Sequence, residues 1–403
     1  MRNLKKIFFV VITLYLMNSI VLENTFPILS KLYMANVIVI IFSLVLIVNF
    51  KKILSVKINK IYIFLIYAFI FMSLIGLIST YINKIQPIKS SVLDWFLFSR
   101  YMIIYIYILF FIEGSTKKYI IGILLNSIKI WTVLNFILLI FNLIHPIFPV
   151  ADIRFGLPSQ QLLYLRPVNL ATLSYVSWII LSKEKNFFVY QGMALILALS
   201  TLRSKIIILL LAYFLYKAYV SITKNTSWIF KISGLTTIIF ILILNFKSTL
   251  YLKLFNTTTA ARSILLRNGI KVAKDYFPMG AGFATFGSYS SFVNYSPLYE
   301  KLGMNHQYGF LRHGYYYGMD SYFSMIVAQF GFIGMSLFLS IIFLLLFNFR
   351  MSDKYSAKNG NPEMLIVLII VSLFTDSLLN TDMGLFIFLI LGLLSEESYS
   401  KLD

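Results

Sequence analysis

Phosphate binding is the first chemistry that the sequence offers, and Arg203 is the residue that offers it. Arg203 lies in the stretch LSTLRSK at the end of an apolar run, beside Ser and Thr. A guanidinium group in such a place can bind phosphate oxygens through two parallel hydrogen bonds. The alternative is an arginine whose apolar stem lies against lipid while its charge reaches the membrane interface.

A basic helix is predicted over 261–274. Its Ile, Leu and Val residues have helical spacing, and Arg267, Lys271 and Lys274 recur at intervals that place them on one face. Two interpretations stay open. The helix lies on a membrane surface, or it turns its basic face toward a phosphorylated lipid.

Gly280 and Gly282 follow this helix, directly after Pro278. Proline ends a helix, and two glycines permit a tight turn with exposed backbone N–H groups. Such N–H groups can bind an anion, so both glycines are candidate substrate contacts. A turn without a ligand is the other interpretation.

Asp320 and His313 are the candidate general bases. An imidazole titrates near neutral pH and can accept a proton from a hydroxyl group. Asp320 stands just before an apolar run, where a carboxylate could instead cap a helix. The tyrosines nearby are typical of sugar-binding surfaces and also of helix anchors at a membrane interface.

Charged residues also occur within or beside the apolar runs. They are Asp94, Arg100, Lys129, Asp376 and Asp382. A charge inside a membrane is a sign of function by default. Pairing of Arg100 or Lys129 with a carboxylate is the alternative.

The composition indicates that these residues belong to a membrane protein. Hydrophobic residues make up 59% of the 403 positions and charged residues 12%, and the mean hydropathy is +0.84. A soluble protein has about 25% charged residues and a smaller apolar share. The fold class expected is therefore all-α, a single polytopic domain over 1–403.

Twelve membrane-spanning helices are predicted from runs of about 20 apolar residues. They cover 7–22, 33–50, 61–80, 95–113, 119–144, 168–182, 187–201, 206–223, 229–247, 321–348, 363–380 and 383–396. The first run could be a signal peptide. No small-residue cleavage site follows it, which favours a retained helix.

The distribution of Lys and Arg predicts the orientation. With the N-terminus inside, eighteen basic residues fall in the inner segments and seven in the short outer loops. Both termini are then cytoplasmic. The large loop 248–320, between the ninth and tenth helices, lies outside the cell membrane, and its aromatic residues favour an ordered structure.

Several kinds of site are excluded or disfavoured. The chain has no Cys and three His, so thiolate sites are absent and a zinc site is not expected. No metal and no cofactor are predicted. The net charge of +20 comes from residues scattered between apolar runs, which favours contacts with the lipid bilayer and gives no nucleic-acid surface.

Four elements of the sequence, taken together, resemble motifs of the O-antigen polymerase and ligase superfamily. The turn 199–204 resembles its Ser-Arg element. The stretch 261–286 is similar to its loop of Arg followed by Pro-x-Gly-x-Gly. The run 320–334 resembles its next helix, with an aromatic-Gly-aliphatic-aliphatic-Gly motif, and 166–171 resembles its Pro-Asn-x-Leu-Ala element.

The resemblance implies glycan transfer from an undecaprenyl-diphosphate carrier to a sugar hydroxyl on the outer face of the membrane. Arg203 and Arg262 would bind the diphosphate, supported by Arg166 or Arg154 and by Arg267. Ligases of the superfamily carry His-Asn where this chain has Asp320-Ser321. This departure favours a Wzy-type polymerase and leaves the base as Asp320 first and His313 second.

The expected function is polymerisation of lipid-linked oligosaccharide repeat units into a capsule, exopolysaccharide or O-antigen. The partners implied are the undecaprenyl-diphosphate-linked donor and acceptor, with a flippase and a chain-length regulator as candidate protein partners. A ligase that attaches a finished glycan is the alternative within the superfamily. A flippase or transporter for the same lipid is the alternative outside it.

Overall fold

The computed structural model describes residues 2–51, 59–150, 152–182, 188–222, 261–313, 317–351 and 362–395. Apart from a two-stranded hairpin, β1 (Ile153–Arg154) and β2 (Leu157–Pro158), the regular structure there is helical. The helices are α1 (Arg2–Thr25), α2 (Pro27–Leu32), α3 (Met34–Val48), α4 (Lys60–Asn83), α5 (Ile88–Phe111), α6 (Gly114–Ile144), α7 (Pro167–Leu181), α8 (Phe188–Ser200), α9 (Ser204–Ile222), α10 (Ala261–Asp275), α11 (Tyr289–Val293), α12 (Pro297–Lys301), α13 (Tyr322–Met351), α14 (Pro362–Thr375) and α15 (Asp382–Leu394). Short 3-10 helices cover Met304–His306 and Leu378–Asn380.

The all-α prediction is confirmed. Five helices are long and apolar enough to cross a membrane: Lys6–Thr25 within α1, α4, α5, α6 and Tyr322–Phe349 within α13. Six other apolar helices are shorter. Each predicted span coincides with one of these eleven helices except 229–247, which lies outside the described residues.

Three of the shorter helices, α7, α14 and α15, form the centre of the bundle. α15 is buried along almost its whole length, and most of α7 and α14 is buried as well. α15 packs against α5, and α14 packs against α13. A helix that is apolar on every side needs apolar neighbours on every side, which explains its central place.

Four of the five long helices, α1, α4, α6 and α13, lie at the edge of the bundle and keep one apolar face uncovered, whereas α5 is mostly buried. On α4, Phe64, Tyr67, Phe71 and Ile78 are exposed, while Leu65 and Met72 on the other face are buried. A continuous apolar face of this kind in a chain so rich in apolar residues is the surface that lipid covers.

The helix predicted over 261–274 is confirmed as α10. Its apolar side, including Leu265 and Val272, is buried, and α10 packs against α13. The apolar face is therefore covered by protein, so the interpretation of a helix lying on the membrane surface is wrong. Residues of 281–310 extend this into a second small apolar core, formed by Phe286, Tyr299 and Phe310 among others.

Candidate functional site

The turn between α8 and α9 presents Arg203. Leu202 has a positive φ of 51°, which reverses the chain sharply after α8. Two residues of the loop between α6 and α7 hold this turn. Ser159 donates a 2.8 Å hydrogen bond to the carbonyl oxygen of Thr201, and the backbone N–H of Gln160 donates one of 3.1 Å to that of Ser200. The loop and the turn therefore form one unit.

Asp152 in the same loop binds two arginines. Its Oδ1 lies 3.2 Å from Nη2 of Arg203, and its Oδ2 lies 2.8 Å from Nε of Arg154. Burial disfavours the charged carboxylate, but the hydrogen bond from Arg154 and the charges of both arginines outweigh burial and lower the pKa of Asp152. Asp152 therefore stays ionised and fixes two guanidinium groups side by side.

Arg262 approaches this pair from the first turn of α10. Burial lowers the pKa of Arg203 most, and the positive charges of Arg154 and Arg262 lower it further against the opposing charge of Asp152. A guanidinium stays protonated under all these influences. Arg203 and Arg154 therefore share one carboxylate, and Arg262 lies within electrostatic reach of Arg203. The excess of positive charge suits an anion.

Arg203 and Arg262 also keep unused donors. The Nε atom of each is buried and has no hydrogen-bond partner within the part of the chain that the structure describes. A buried donor without a partner costs free energy, and such a group in a native protein needs an explanation. Binding of an anion such as a phosphate supplies one.

Asp320 lies two residues before α13, within electrostatic reach of Arg262. Burial raises its pKa most, Arg262 and Arg166 oppose the rise, and the negative charge of Asp376 adds to it. A carboxylate with a raised pKa is a stronger base than one in water. Arg262 therefore joins the two parts of the site, because its charge acts on both Arg203 and Asp320.

Electrostatic interactions connect five of the nine residues predicted from the sequence: Arg154, Arg203, Arg262, Arg166 and Asp320. Arg166 is exposed and precedes Pro167 at the start of α7, within electrostatic reach of Asp320. Arg267 is exposed and lies five residues, about 140°, around α10 from Arg262. His313 is exposed and precedes the undescribed residues 314–316.

Gly280 and Gly282 do not offer N–H groups to a ligand. The N–H of Gly280 donates to the carbonyl oxygen of Tyr276, and that of Gly282 donates to the carbonyl oxygen of Gln329, both at 2.9 Å. The carbonyl of Gln329 is free for this bond because α13 is kinked at Gly331. The anion cradle predicted for the two glycines is therefore replaced by a contact that holds the loop against α13.

The carboxylate of Asp94 is an anion that a backbone N–H of this loop binds. Its Oδ2 accepts hydrogen bonds from the N–H of Ala284 at 2.6 Å and from Nε2 of Gln329 at 3.0 Å. Asp94 is buried. This carboxylate, flagged in the sequence as a charge in an apolar run, connects α5 to both the loop and α13.

Arg100 is paired, as one of the two interpretations of the sequence predicted. Its guanidinium donates to Oδ1 of Asn36 at 2.7 Å and to the carbonyl oxygen of Asn380 at 2.6 Å, and it lies 3.6 Å from Asp382. These partners come from α3, from the 3-10 helix and from α15, so Arg100 joins three elements within the bundle.

The sequence did not single out the pair Lys205 and Asp376. Nζ of Lys205 lies 2.8 Å from Oδ2 of Asp376, and Lys205 is buried. The only signal was a second basic residue two positions after Arg203, together with an aspartate at the end of an apolar run. Nothing in the sequence linked residues 171 positions apart.

Among the described residues there is no group of three or more His, Cys, Asp or Glu side chains that could hold a metal ion. No protein-family model matches the chain, and no curated protein matches it significantly.

Proposed function

We propose that this protein is a glycosyltransferase of the cell membrane that polymerises lipid-linked oligosaccharide repeat units. The observation that carries the proposal is the pairing of Asp152 with Arg203 and Arg154. Arg262 interacts electrostatically with both Arg203 and Asp320 and so connects this pair to the candidate base. The elements that supply these residues are far apart in the sequence. Their meeting gives an anion site next to a candidate base, which is what transfer from a diphosphate carrier requires.

The proposed membrane arrangement has twelve spans, cytoplasmic termini and the segment 248–320 on the outer face. The eighteen-to-seven distribution of basic residues supports the orientation. Five helices of spanning length and six shorter apolar helices support the number of spans. In this arrangement the arginine site opens toward the outer surface, where undecaprenyl-diphosphate-linked repeat units are polymerised.

The proposed reaction is a displacement at C1 of the donor sugar. A hydroxyl oxygen of the acceptor repeat unit forms a bond to C1, and the bond between C1 and the diphosphate oxygen breaks. The bonding electrons leave with undecaprenyl diphosphate, and the hydroxyl proton passes to Asp320. The leaving group gains negative charge in the transition state, so fixed positive charge lowers the barrier.

Each side chain has a role in this step. Arg203 and Arg262 bind the diphosphate, and their unpartnered Nε atoms are the donors they bring to it. Arg154 is held beside them by Asp152 and adds positive charge. The charge of Arg166 favours the ionised form of Asp320. Arg267 and His313 are proposed from the sequence alone.

Reconstitution with a synthetic undecaprenyl-diphosphate repeat unit tests the proposal. The purified protein in proteoliposomes is expected to produce a ladder of products separated by one repeat unit. A single transfer to a different glycan or lipid acceptor would identify a ligase instead. Movement of the intact lipid between leaflets without new glycosidic bonds would identify a flippase. Either of these results contradicts the polymerase proposal.

A further inference from the structure

The ion pair between the buried Lys205 and Asp376, whose side chain is 20% exposed, lies between two parts of the candidate site. Lys205 lies in the first turn of α9 and has 3% of its side chain exposed. Its Nζ donates to Oδ2 of Asp376 at 2.8 Å and to Oγ1 of Thr172 in α7 at 3.2 Å. The other oxygen of Asp376 accepts a 3.0 Å hydrogen bond from the N–H of Leu378. Both charges are therefore fixed.

One end of this pair belongs to the Arg203 turn. Lys205 follows Arg203 by two residues, and Ser204 begins α9 between them. The Lys205 side chain is anchored to Thr172 in α7 and to Asp376 directly after α14. An anchored side chain in the first turn of a helix restrains the backbone just before that helix. The position of the Arg203 guanidinium thus depends on the anchoring of Lys205.

The other end of the pair lies beside Asp320. The rings of Phe323 and Phe374 stack with centroids 4.7 Å apart, which places the start of α13 against the end of α14. Asp320 lies three residues before the first ring, and Asp376 lies two residues after the second. The negative charge of Asp376 accordingly adds to the rise in the pKa of Asp320 that burial causes.

A buried ion pair is a weak source of stability. Removing two charges from water costs free energy that their attraction only partly repays, and apolar replacements are often as stable. The placement of this pair between a proposed diphosphate-binding arginine and a proposed base therefore calls for a role in the site. We propose that Lys205 and Asp376 are positioning residues. Their ion pair holds the carboxylate of Asp376 beside Asp320 and fixes the Arg203 turn relative to Asp320.

This inference rests on the proposed role of Asp320 in glycosyl transfer. Among the described residues, the charged groups that act on Asp320 are Arg262 from α10, Arg166 before α7 and Asp376 after α14. Lys205 acts on Asp320 through Asp376. Loss of the carboxylate at Asp376 leaves Lys205 uncompensated and lowers the pKa of Asp320. Loss of the charge at Lys205 leaves Asp376 uncompensated and raises it.

Titration of Asp320 by NMR tests the proposal without any need for enzymatic activity. The full-length protein is purified in nanodiscs with its aspartate side-chain carboxyl carbons labelled. The chain has eight aspartates, and the signal missing from Asp320→Asn assigns Asp320. The titration midpoint is then measured for Asp376→Asn, Lys205→Met and the double variant.

The two single variants are expected to shift the midpoint in opposite directions. Asp376→Asn lowers it and Lys205→Met raises it, each by about one pH unit. The double variant, which removes both charges together, lies between them. Equal midpoints in Asp376→Asn and in the unmodified protein, or shifts of the same sign in both single variants, overturn the proposal.

Matched controls separate this effect from a general change of charge. Asp275→Asn and Lys271→Met change the same residue types at exposed positions of α10 and leave the midpoint unchanged. If a single variant does not reach the membrane, the double variant and the remaining single variant still decide, because the double variant leaves neither charge of the pair unpaired. Its midpoint is then expected above that of Asp376→Asn and below that of Lys205→Met.

Activity gives the second readout. If the unmodified protein forms polymer, the acidic limb of its pH profile moves in the same direction as the Asp320 midpoint in each variant. If the unmodified protein forms no polymer, the proposed function fails, but the titration still shows whether the pair controls Asp320. The two failures are thus distinguishable.

Discussion

Gly280 packs against Gly331 with backbone directly on backbone. A Cβ atom on Gly280 would meet the backbone N of Gly331 and would lie 2.7 Å from the carbonyl oxygen of Ala328. Both glycines have positive φ angles, 77° and 63°. The contact inserts the turn after α10 into the kink of α13. That insertion positions the following loop, whose Ala284 N–H donates a hydrogen bond to Asp94.

Alanine at either glycine is expected to destabilise the protein. Gly280→Ala and Gly331→Ala combine an unfavourable backbone conformation with a clash against backbone atoms that cannot move aside. We expect a loss of about 2–4 kcal/mol in the free energy of unfolding. Thermal unfolding of the purified protein, followed by size-exclusion chromatography with fluorescence detection, measures the effect as a lower melting temperature.

Gly122→Ala is the matched control. Gly122 lies within α6, and a Cβ atom there meets nothing within 4 Å. Alanine is a better helix former, so this variant is expected to be as stable as the unmodified protein or slightly more stable. A Gly280→Ala protein with normal stability and no activity would instead support the original prediction that Gly280 contacts substrate.

The features that the sequence predicted correctly are those that depend on residues close together in the chain. Apolar runs predicted the helices, and the spacing of Leu265 and Val272 predicted α10, because helical periodicity is a local property. The partner of α10 was not predictable, since an apolar face that needs cover accepts lipid or protein equally. Only the structure shows that α13 covers it.

Contacts between distant segments account for what the sequence did not predict. The N–H of Gly282 is occupied by the carbonyl of Gln329, which is free only because Gly331 kinks α13. The pair Lys205 and Asp376 likewise depends on how α9 meets α14. In contrast, Arg203 and Arg262 were selected as one site because their order resembles a known pattern.

Cysteine labelling tests the proposed orientation. The chain has no native Cys, so a single introduced Cys reports its own location. Lys301→Cys, at an exposed position of the segment 248–320, is expected to react with a membrane-impermeant maleimide in intact cells. Ser290 in the same segment is unsuitable because it is buried.

Lys51→Cys provides the opposite control. Lys51 is exposed and belongs to a predicted inner segment, so it is expected to react only after the membrane is permeabilised. Labelling of Lys301→Cys only after permeabilisation would place the arginine site in the cytoplasm, and the proposed function would fail with the orientation.

Activity is expected to fall at acidic pH as Asp320 takes up a proton. Burial raises the pKa of Asp320 above its usual value. A base must be deprotonated, so its contribution is present above this pKa and disappears as the pH falls through it. The rate of polymer formation against pH measures the acidic limb.

Two variants of Asp320 separate a base from a residue that only supports the fold. The cap of α13 is Ser321, whose Oγ accepts a 3.3 Å hydrogen bond from the N–H of Ser324, so the alternative role of Asp320 as a helix cap is wrong. Asp320→Asn keeps the size of the side chain but cannot accept the proton, so activity should fall at every pH while the protein still reaches the membrane. Asp320→Glu keeps a carboxylate and should retain part of the activity with an acidic limb. Normal activity in Asp320→Asn would transfer the role of base to another group, with His313→Gln as the next variant to measure.

Polymerisation is expected to proceed without a divalent metal ion. The expectation comes from the sequence, which has no Cys and few His, and from the use of arginine charge at the diphosphate. EDTA at a few times the metal concentration should leave the product ladder unchanged. Loss of the ladder in EDTA, restored by magnesium or manganese, would show that the arginines do not act alone.

The strongest prediction concerns Arg203 and Arg262. Each is proposed to bind diphosphate through charge and through the planar arrangement of its donors. Arg203→Ala and Arg262→Ala should nearly abolish polymer formation at normal membrane levels. A hydrogen bond to a charged group contributes about 1.5–3 kcal/mol, which corresponds to roughly a 10- to 150-fold change in rate if it acts in the transition state. Lysine at either position keeps the charge but loses paired donation, so it should restore activity only partly.

Lys301→Ala is the control for these substitutions. Lys301 is an exposed basic residue of the segment 248–320, which also contains Arg262. Its Nζ lies over the ring of Tyr276, 5.5 Å from the ring centroid. Its removal should leave polymer formation unchanged. An arginine that only reaches toward the membrane interface would behave in the same way, because its charge would not contact the substrate. Full-length polymer from Arg203→Ala at normal expression would therefore remove Arg203 from the mechanism and leave its ion pair with Asp152 as a structural contact.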